Sequence, residues 1–334
     1  MVGSYTGKVI HVPALLESWP WPAAINPLYE QVQEESTSWF RKFDLYRDRK
    51  KQAIHDHLDT AKFGASVCPK ADYALLRLAT DYLHLGFWID YFFDTSPSDV
   101  IRQLTESIAH LLESGDPRLD SSSPQSHIAC MEILRDFRKR IETFNPSQED
   151  LRRFVKEYRG FLEAELTQAI DHENKVIRDI ESYLSIRRST IAIRPGIALL
   201  GLALGIPQEI LDDPYTDTLT NACLDMVIIQ NDAYSWNVEQ VRKADGHNII
   251  TVLMKQRDID VQEAYEHAAQ LHRETQEHFL ELHAKRPDWG NEGSIQAFFD
   301  GLGEFVRGVD EWSSMCVRYG LSEEFSRTRK LTLL

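Results

Sequence analysis

The stretch that most constrains this chain is residues 221–251, NACLDMVIIQNDAYSWNVEQVRKADGHNIIT, in which an apolar run passes without a turn signal into NDAYSWNVE. Asn231, Ser235 and Glu239 stand four residues apart. On an α-helix they drift by about 40° per step and line one face over about 12 Å. An apolar helix entering a core seldom turns polar along one stripe unless something satisfies those groups. An amide oxygen, a hydroxyl and a carboxylate are hard donors of the kind Mg²⁺ accepts, and such an ion usually leaves positions for water and substrate phosphate. The same spacing also occurs on solvated helix faces, so a metal reading requires a facing partner elsewhere in the chain.

A partner exists in DYLHLGFWIDYFFD, residues 81–94, where Asp90 and Asp94 are again four apart at the end of an apolar, aromatic segment. Two carboxylates about 6 Å apart repel by about 0.7 kcal/mol in water and by about 3 kcal/mol at an effective dielectric near 20. In so apolar a setting a cation between them is the economical explanation; acids pointing to water from a helix end are the plain one.

A third feature is YLSIRRSTIAIRPGIALL, residues 183–200. Arg187, Arg188 and Arg194 are costly beside an apolar run unless they pair with acids or hold an anion, and Pro195-Gly196 is expected to break a helix. A fourth is WSSMCVRYG, residues 312–320, whose Arg318 and Tyr319 offer a guanidinium fork and a phenol to phosphate oxygens.

These segments together resemble class I terpene synthases, in which an aspartate-rich D-D/E-x-x-D motif faces N-D-x-x-S-x-x-x-E across a helical bundle. NDAYSWNVE matches the second motif at every defined position, whereas DYFFD carries Tyr91 where the family usually has a second acid. HVPALLESWPWPAAINPLYEQVQEESTSWF, residues 11–40, also resembles the opening of fungal sesquiterpene synthases. The resemblance implies that Asp90, Asp94, Asn231, Ser235 and Glu239 hold about three Mg²⁺. It implies Arg187 as pyrophosphate sensor, with Arg188 the alternative, Thr190 as its link, and Ile191 as the residue whose carbonyl faces substrate. Arg318 and Tyr319 correspond to the family's C-terminal pair and Trp312 to a cavity-lining tryptophan; Phe87, with Tyr91 or Phe92, is a further candidate π face. Lys243 is a weaker diphosphate contact beside a loop through Gly246. The implied activity is a Mg²⁺-dependent sesquiterpene synthase that ionises farnesyl diphosphate, a prenyl diphosphate, and releases pyrophosphate. A chain-elongating prenyl transferase and a catalytically silent all-α binding protein are the alternatives.

Elsewhere the chain reads as helical. Residues 1–28, with Pro13, Pro20, Pro22 and Pro27, are expected to form an irregular arm packed on the rest. A helix is predicted from Leu28 to about Phe43, and helical signals continue almost to the end. Breaks are expected near Val67 to Lys70, Thr95 to Ser98, Gly115 to Gln125, Asn145 to Ser147, Gly205 to Pro214 and Arg286 to Gly293. GDPRLDSSSPQS, residues 115–126, reads as the most mobile loop. The expected fold is all-α: a single α-helical bundle domain over 29–334, of the class I terpenoid synthase type.

A chain of 334 residues with 43% hydrophobic content can bury a sizeable core. Its formal charge of −15 argues against nucleic acid as a partner. Cys68, Cys130, Cys223 and Cys316 form no C-x-x-C pair, no apolar signal opens the chain, and no run of about 18 apolar residues appears. The expected setting is the reducing cytoplasm without a membrane span; the oligomeric state stays open, a homodimer included. His55 and His57 sit in RDRKKQAIHDHLD and read as decorations of a solvated helix, and Asp212 and Asp213 as turn and capping residues.

Overall fold

The computed structural model describes residues 5–46, 48–117, 124–290, 293–321 and 323–334. In chain order the elements are β1 (Val9–His11), α1 (Tyr29–Arg41), α2 (Arg49–Asp56), α3 (Thr60–Val67), α4 (Tyr73–Asp94), α5 (Ser98–Ser114), α6 (Gln125–Glu142) and α7 (Gln148–Glu173). There follow α8 (Ile180–Thr190), α9 (Ile193–Leu204), α10 (Gln208–Leu211), α11 (Pro214–Arg242), α12 (Ile249–Arg257), α13 (Val261–Ala284), α14 (Gly293–Met315), α15 (Glu323–Thr328) and β2 (Lys330–Thr332). The fold is all-α, and the one sheet among the described residues is the antiparallel ribbon of β1 and β2, with Val9 opposite Thr332.

Local chemistry fixes the helix ends. Asp72 opens α4 by accepting the Leu75 N–H at 2.9 Å, and Ser147 with Asp150 closes a capping box on α7. Asp213 caps α11 ahead of Pro214 in the first turn, so it is the capping residue its sequence suggests. Lys243 ends α11 in the left-handed region, at φ 58°.

The long helix α11 runs through the interior. It is flanked by α13 and α14 and touched by α8 and α12, and it buries residues on several faces, Trp236 and Tyr234 among them. Each large apolar side chain buried in this way stabilises the fold by about 1.5–3 kcal/mol. α14 also lies against α3, so closely that a Cβ on Gly308 would fall 2.5 Å from the backbone carbon and oxygen of Ser66. The N-terminal arm packs on the same helix: Trp19 Nε1 donates to the Gly303 carbonyl at 2.9 Å and Trp21 Nε1 to Asp300 at 3.3 Å. At the other end of the chain, Leu334 N–H donates to Asn237 Oδ1 at 3.0 Å, tying the C-terminal tail to α11.

Several expectations need correction. The arm contains β1, because a C-terminal partner strand satisfies its backbone groups. The predicted break at Pro195-Gly196 falls earlier, at Ala192 with φ 59°, and Pro195 sits in the first turn of α9, where its missing N–H costs nothing. His55 is buried rather than solvated: it stacks on Phe40 with ring centroids 4.4 Å apart and meets Tyr46 Oη at 3.1 Å and His84 Nδ1 at 2.8 Å. Residues 118–123 of the loop expected to be mobile lie outside the described residues.

Candidate active site

Four helical segments converge on one cavity. The last turns of α4 carry Asp90, the last turn of α8 carries Arg187 and Thr190, the middle of α11 carries Asn231, and a 3-10 turn after α14, Val317–Tyr319, carries Arg318 and Tyr319. Arg318 Nη2 lies 2.7 Å from Asp90 Oδ2, with its guanidinium 5.5 Å from the Phe87 ring centre. Arg187 donates to Asn231 Oδ1 at 2.7 Å and to Thr190 Oγ1 at 3.3 Å, and Asn231 donates onward to the Tyr319 hydroxyl at 2.9 Å. Two sets of contacts, Arg318–Asp90 and Thr190–Arg187–Asn231–Tyr319, thus place guanidinium groups among oxygen-bearing side chains, and all six residues line a cavity of about 470 Å³.

The rest of that cavity is largely apolar and aromatic. Trp312 stacks on Phe63 with centroids 4.3 Å apart, stands 5.6 Å from Phe87, and is held in place by an Nε1–H bond of 3.0 Å to the Leu58 carbonyl. Ile191 lines the wall next to Thr190. The site therefore has a charged end and an apolar body.

Ser235 and Glu239 continue the α11 stripe beyond the cavity wall. Both are held by one side chain, Asn248, whose amide donates to Ser235 Oγ at 3.3 Å and to Glu239 Oε2 at 3.0 Å. Burial, and next the nearby Asp232, push the Glu239 carboxyl up to about 7. Asp94 is likewise pushed up to about 7, by desolvation of its carboxyl and then by Asp90, although the residue as a whole is exposed at the rim. Carboxyls poised in this way, with Asn and Ser oxygens on the same stripe, are suited to a hard cation. Among the described residues no three His, Cys, Asp or Glu side chains converge as a metal cluster.

Some residues indicated by sequence stand elsewhere. Lys243 is exposed at the end of α11 and does not line the cavity. Arg188 is committed to Asp225 by two bonds of 2.7 Å, which leaves Arg187 as the arginine of the site. Tyr91 packs 5.2 Å from the Tyr46 ring, and Phe92 stacks on Trp88 at 5.1 Å; neither lines the cavity.

Sequence reasoning missed the anchors behind these groups. Asp232 is buried and receives the Tyr183 hydroxyl, the Ile249 N–H at 2.7 Å and Arg187 at 3.2 Å. Its position beside Asn231 was the available signal. Asn248 doubles as the N-cap of α12, a role visible in its place before an apolar run. Glu165 on α7 is buried, and burial together with Asp90 and Asp94 holds its carboxyl well above the usual range; no local pattern in the sequence pointed to it.

Residues 81–278 match the family model described as terpene synthase family 2, C-terminal metal binding. The chain is 33% identical over 316 residues to a Δ6-protoilludene synthase of Stereum hirsutum, covering 93% of this chain and 84% of the relative. It is 33% identical over 313 residues to a Δ6-protoilludene synthase of Armillaria gallica, covering 93% and 89%. Among solved structures, linalool/nerolidol synthase from Streptomyces clavuligerus superposes with a TM-score of 0.78 at 24% identity, over 89% of this chain and all of that one. With its all-α fold and its polar-ended cavity, the chain belongs to the class I terpene synthases, as a member of the fungal branch. It is accordingly a lyase. No helix among the described residues is long and apolar enough to cross a membrane.

Proposed function

We propose that this terpene synthase is a Mg²⁺-dependent sesquiterpene cyclase that ionises farnesyl diphosphate, releases pyrophosphate and shapes the resulting cation into a cyclic hydrocarbon or alcohol. The observation that carries the reading is the joining of Asp90–Arg318 and Thr190–Arg187–Asn231–Tyr319 at one end of an apolar cavity. The assignment of an individual farnesyl substrate is supported by the names of the relatives, which are sesquiterpene or protoilludene synthases.

Asp90, Asp94, Asn231, Ser235 and Glu239 would hold the Mg²⁺ ions, about three by resemblance to the family. When bound, these ions supply Lewis-acid charge to the departing diphosphate. Arg187, Arg318 and the Tyr319 hydroxyl direct their donors to the same group as charge develops on it, an arrangement that costs no reorganisation during the reaction. Arg318 now neutralises Asp90, and an incoming diphosphate competes for that guanidinium, freeing the carboxylate. Asp232 and Tyr183 fix the direction of Arg187, and Asn248 aligns Ser235 with Glu239. Phe63, Phe87 and Trp312 exclude water, which would quench the cation, and present π faces worth about 0.5–2 kcal/mol each. Lys243 would join only if the segment through Gly246 closed over the site.

The test is Asp90→Asn and Glu239→Gln. Each is expected to lower pyrophosphate release from farnesyl diphosphate by at least about 10²-fold with circular dichroism unchanged. Near-normal rates in either variant would remove the clamp assignment.

A further inference from the structure

A cationic cascade yields a hydrocarbon only when a carbon-bound proton is removed, so the function proposed above calls for a base bordering the cavity. Among the described residues three carboxylates line it: Asp90, Asp300 and Glu304. Asp90 is paired with Arg318 at 2.7 Å and belongs to the charged end. Asp300 has both oxygens engaged: Oδ1 accepts from Trp21 Nε1 at 3.3 Å and lies 3.4 Å from His283 Nε2, and Oδ2 accepts from Gln296 Nε2 at 2.8 Å. Glu304 differs from both. Its Oε1 lies 2.6 Å from Lys70 Nζ, and its Oε2 has no hydrogen-bond donor among the described residues.

The surroundings of Glu304 are those of the apolar body. It stands on α14 eight residues before Trp312, about 12 Å along the helix. Its neighbour Phe305 lines the same cavity and lies 6.5 Å from the ring of Phe63, which stacks on Trp312 at 4.3 Å and stands 6.1 Å from Phe87. The carboxylate therefore adjoins the aromatic group whose π faces attract a cation, away from the diphosphate end. The Lys70 side chain, in the turn between α3 and α4, is 76% exposed, whereas that of Glu304 is 11% exposed. The ammonium thus reaches in from the surface and fixes one oxygen of an enclosed carboxylate, leaving the other uncommitted.

Building on the proposed function, we propose that Glu304 is the base that ends the reaction. A C–H bond beside the last cationic carbon breaks, its electron pair becomes the second bond of a C=C, and the proton passes to Glu304 Oε2 and then to solvent. A C–H beside a cationic carbon is a far stronger acid than a protonated carboxyl, so position decides which carboxylate acts. A base placed here serves the part of the cavity remote from the diphosphate, whereas the departing pyrophosphate would take a proton at the charged end.

The experiment compares wild type, Glu304→Gln and Lys70→Met on farnesyl diphosphate with Mg²⁺, reading volatile products by mass spectrometry alongside pyrophosphate release. Glu304→Gln keeps the size of the side chain and a carbonyl oxygen for Lys70 but loses the base. It is expected still to release pyrophosphate, because ionisation precedes the proton transfer, and that release reports that the variant is folded. The share of the wild-type hydrocarbon among its products is expected to fall at least about tenfold, with alcohols or isomeric olefins in its place. Lys70→Met removes the ion pair and leaves the carboxylate, and is expected to keep that share within about twofold of wild type. An unchanged share in Glu304→Gln would overturn the proposal and put the base at the charged end. Loss of pyrophosphate release in that variant, or an equal change of products in Lys70→Met, would overturn it too, because fold or ion pair would then set the outcome. A wild type that makes only alcohols would remove the need for a base, and one that releases no pyrophosphate would overturn the proposed function itself.

Discussion

Asn248 gives the sharpest test of how the α11 stripe is held. Its side-chain amide donates to Glu239 Oε2 at 3.0 Å, to Ser235 Oγ at 3.3 Å and to the Asp232 carbonyl at 3.0 Å, while its Oδ1 accepts the Ile250 N–H at 2.9 Å and caps α12. Asn248→Asp keeps the shape and the cap and turns one donor into a carboxylate beside Glu239. Two full charges about 4 Å apart at an effective dielectric near 20 repel by about 4 kcal/mol. Glu239 already sits near 7 against an ordinary 4.5, so the folded state holds its proton more tightly than the unfolded state, and stability from this group is lost as pH rises through that window. In the variant the loss deepens above pH 7. Below it, one shared proton turns the pair into a hydrogen bond. Urea unfolding with chelator present should show the midpoint falling by about 1 M or more at pH 8, for a slope near 3 kcal/mol/M, and by much less at pH 6. An equal shift at both pH values would mean that the cost is packing and that the charge argument fails.

Other perturbations follow from the same geometry. Tyr183→Phe removes a donor from buried Asp232 and should cost about 1–3 kcal/mol in urea unfolding, with a lower kcat because Arg187 loses its fixed partner. Gly308→Ala places a methyl 2.5 Å from the Ser66 backbone and should destabilise by about 3 kcal/mol or more, seen as a lowered melting temperature. Burial lowers the His55 pKa to about 4, so its contribution is intact above about 6.5 and is lost as pH falls toward 4, by up to about 3 kcal/mol. His55→Asn should flatten the acid limb of the stability curve, as followed by denaturation between pH 7 and pH 4.

The sequence revealed what depends on local period and chemistry. The stripe Asn231–Ser235–Glu239 was legible because four-residue spacing on a helix has a single geometric meaning, and Asp213 was legible because it precedes Pro214 at a helix start. The predicted helix from Leu28 to about Phe43 is α1, Tyr29–Arg41, whose ends fall within two residues of that range. What stayed hidden depends on contacts distant in sequence. Nothing near Asp232 announces Tyr183, 49 positions away, or a role in orienting Arg187. His55 was misread because charged neighbours mask a single inward-facing position on a short helix, and its true environment comes from Phe40 and His84. The bend at Ala192 was misplaced because Pro195 is a break signal inside a helix and a favourable residue in a first turn, and only the tertiary position of α9 chooses between them.

The most direct test of the account is incubation of the purified protein with farnesyl diphosphate, with and without Mg²⁺, followed by mass spectrometry of the volatile products and a pyrophosphate assay. The account predicts a cyclic sesquiterpene and stoichiometric pyrophosphate only when Mg²⁺ is present. Product formation in its absence, or no product from farnesyl diphosphate in its presence, would contradict it.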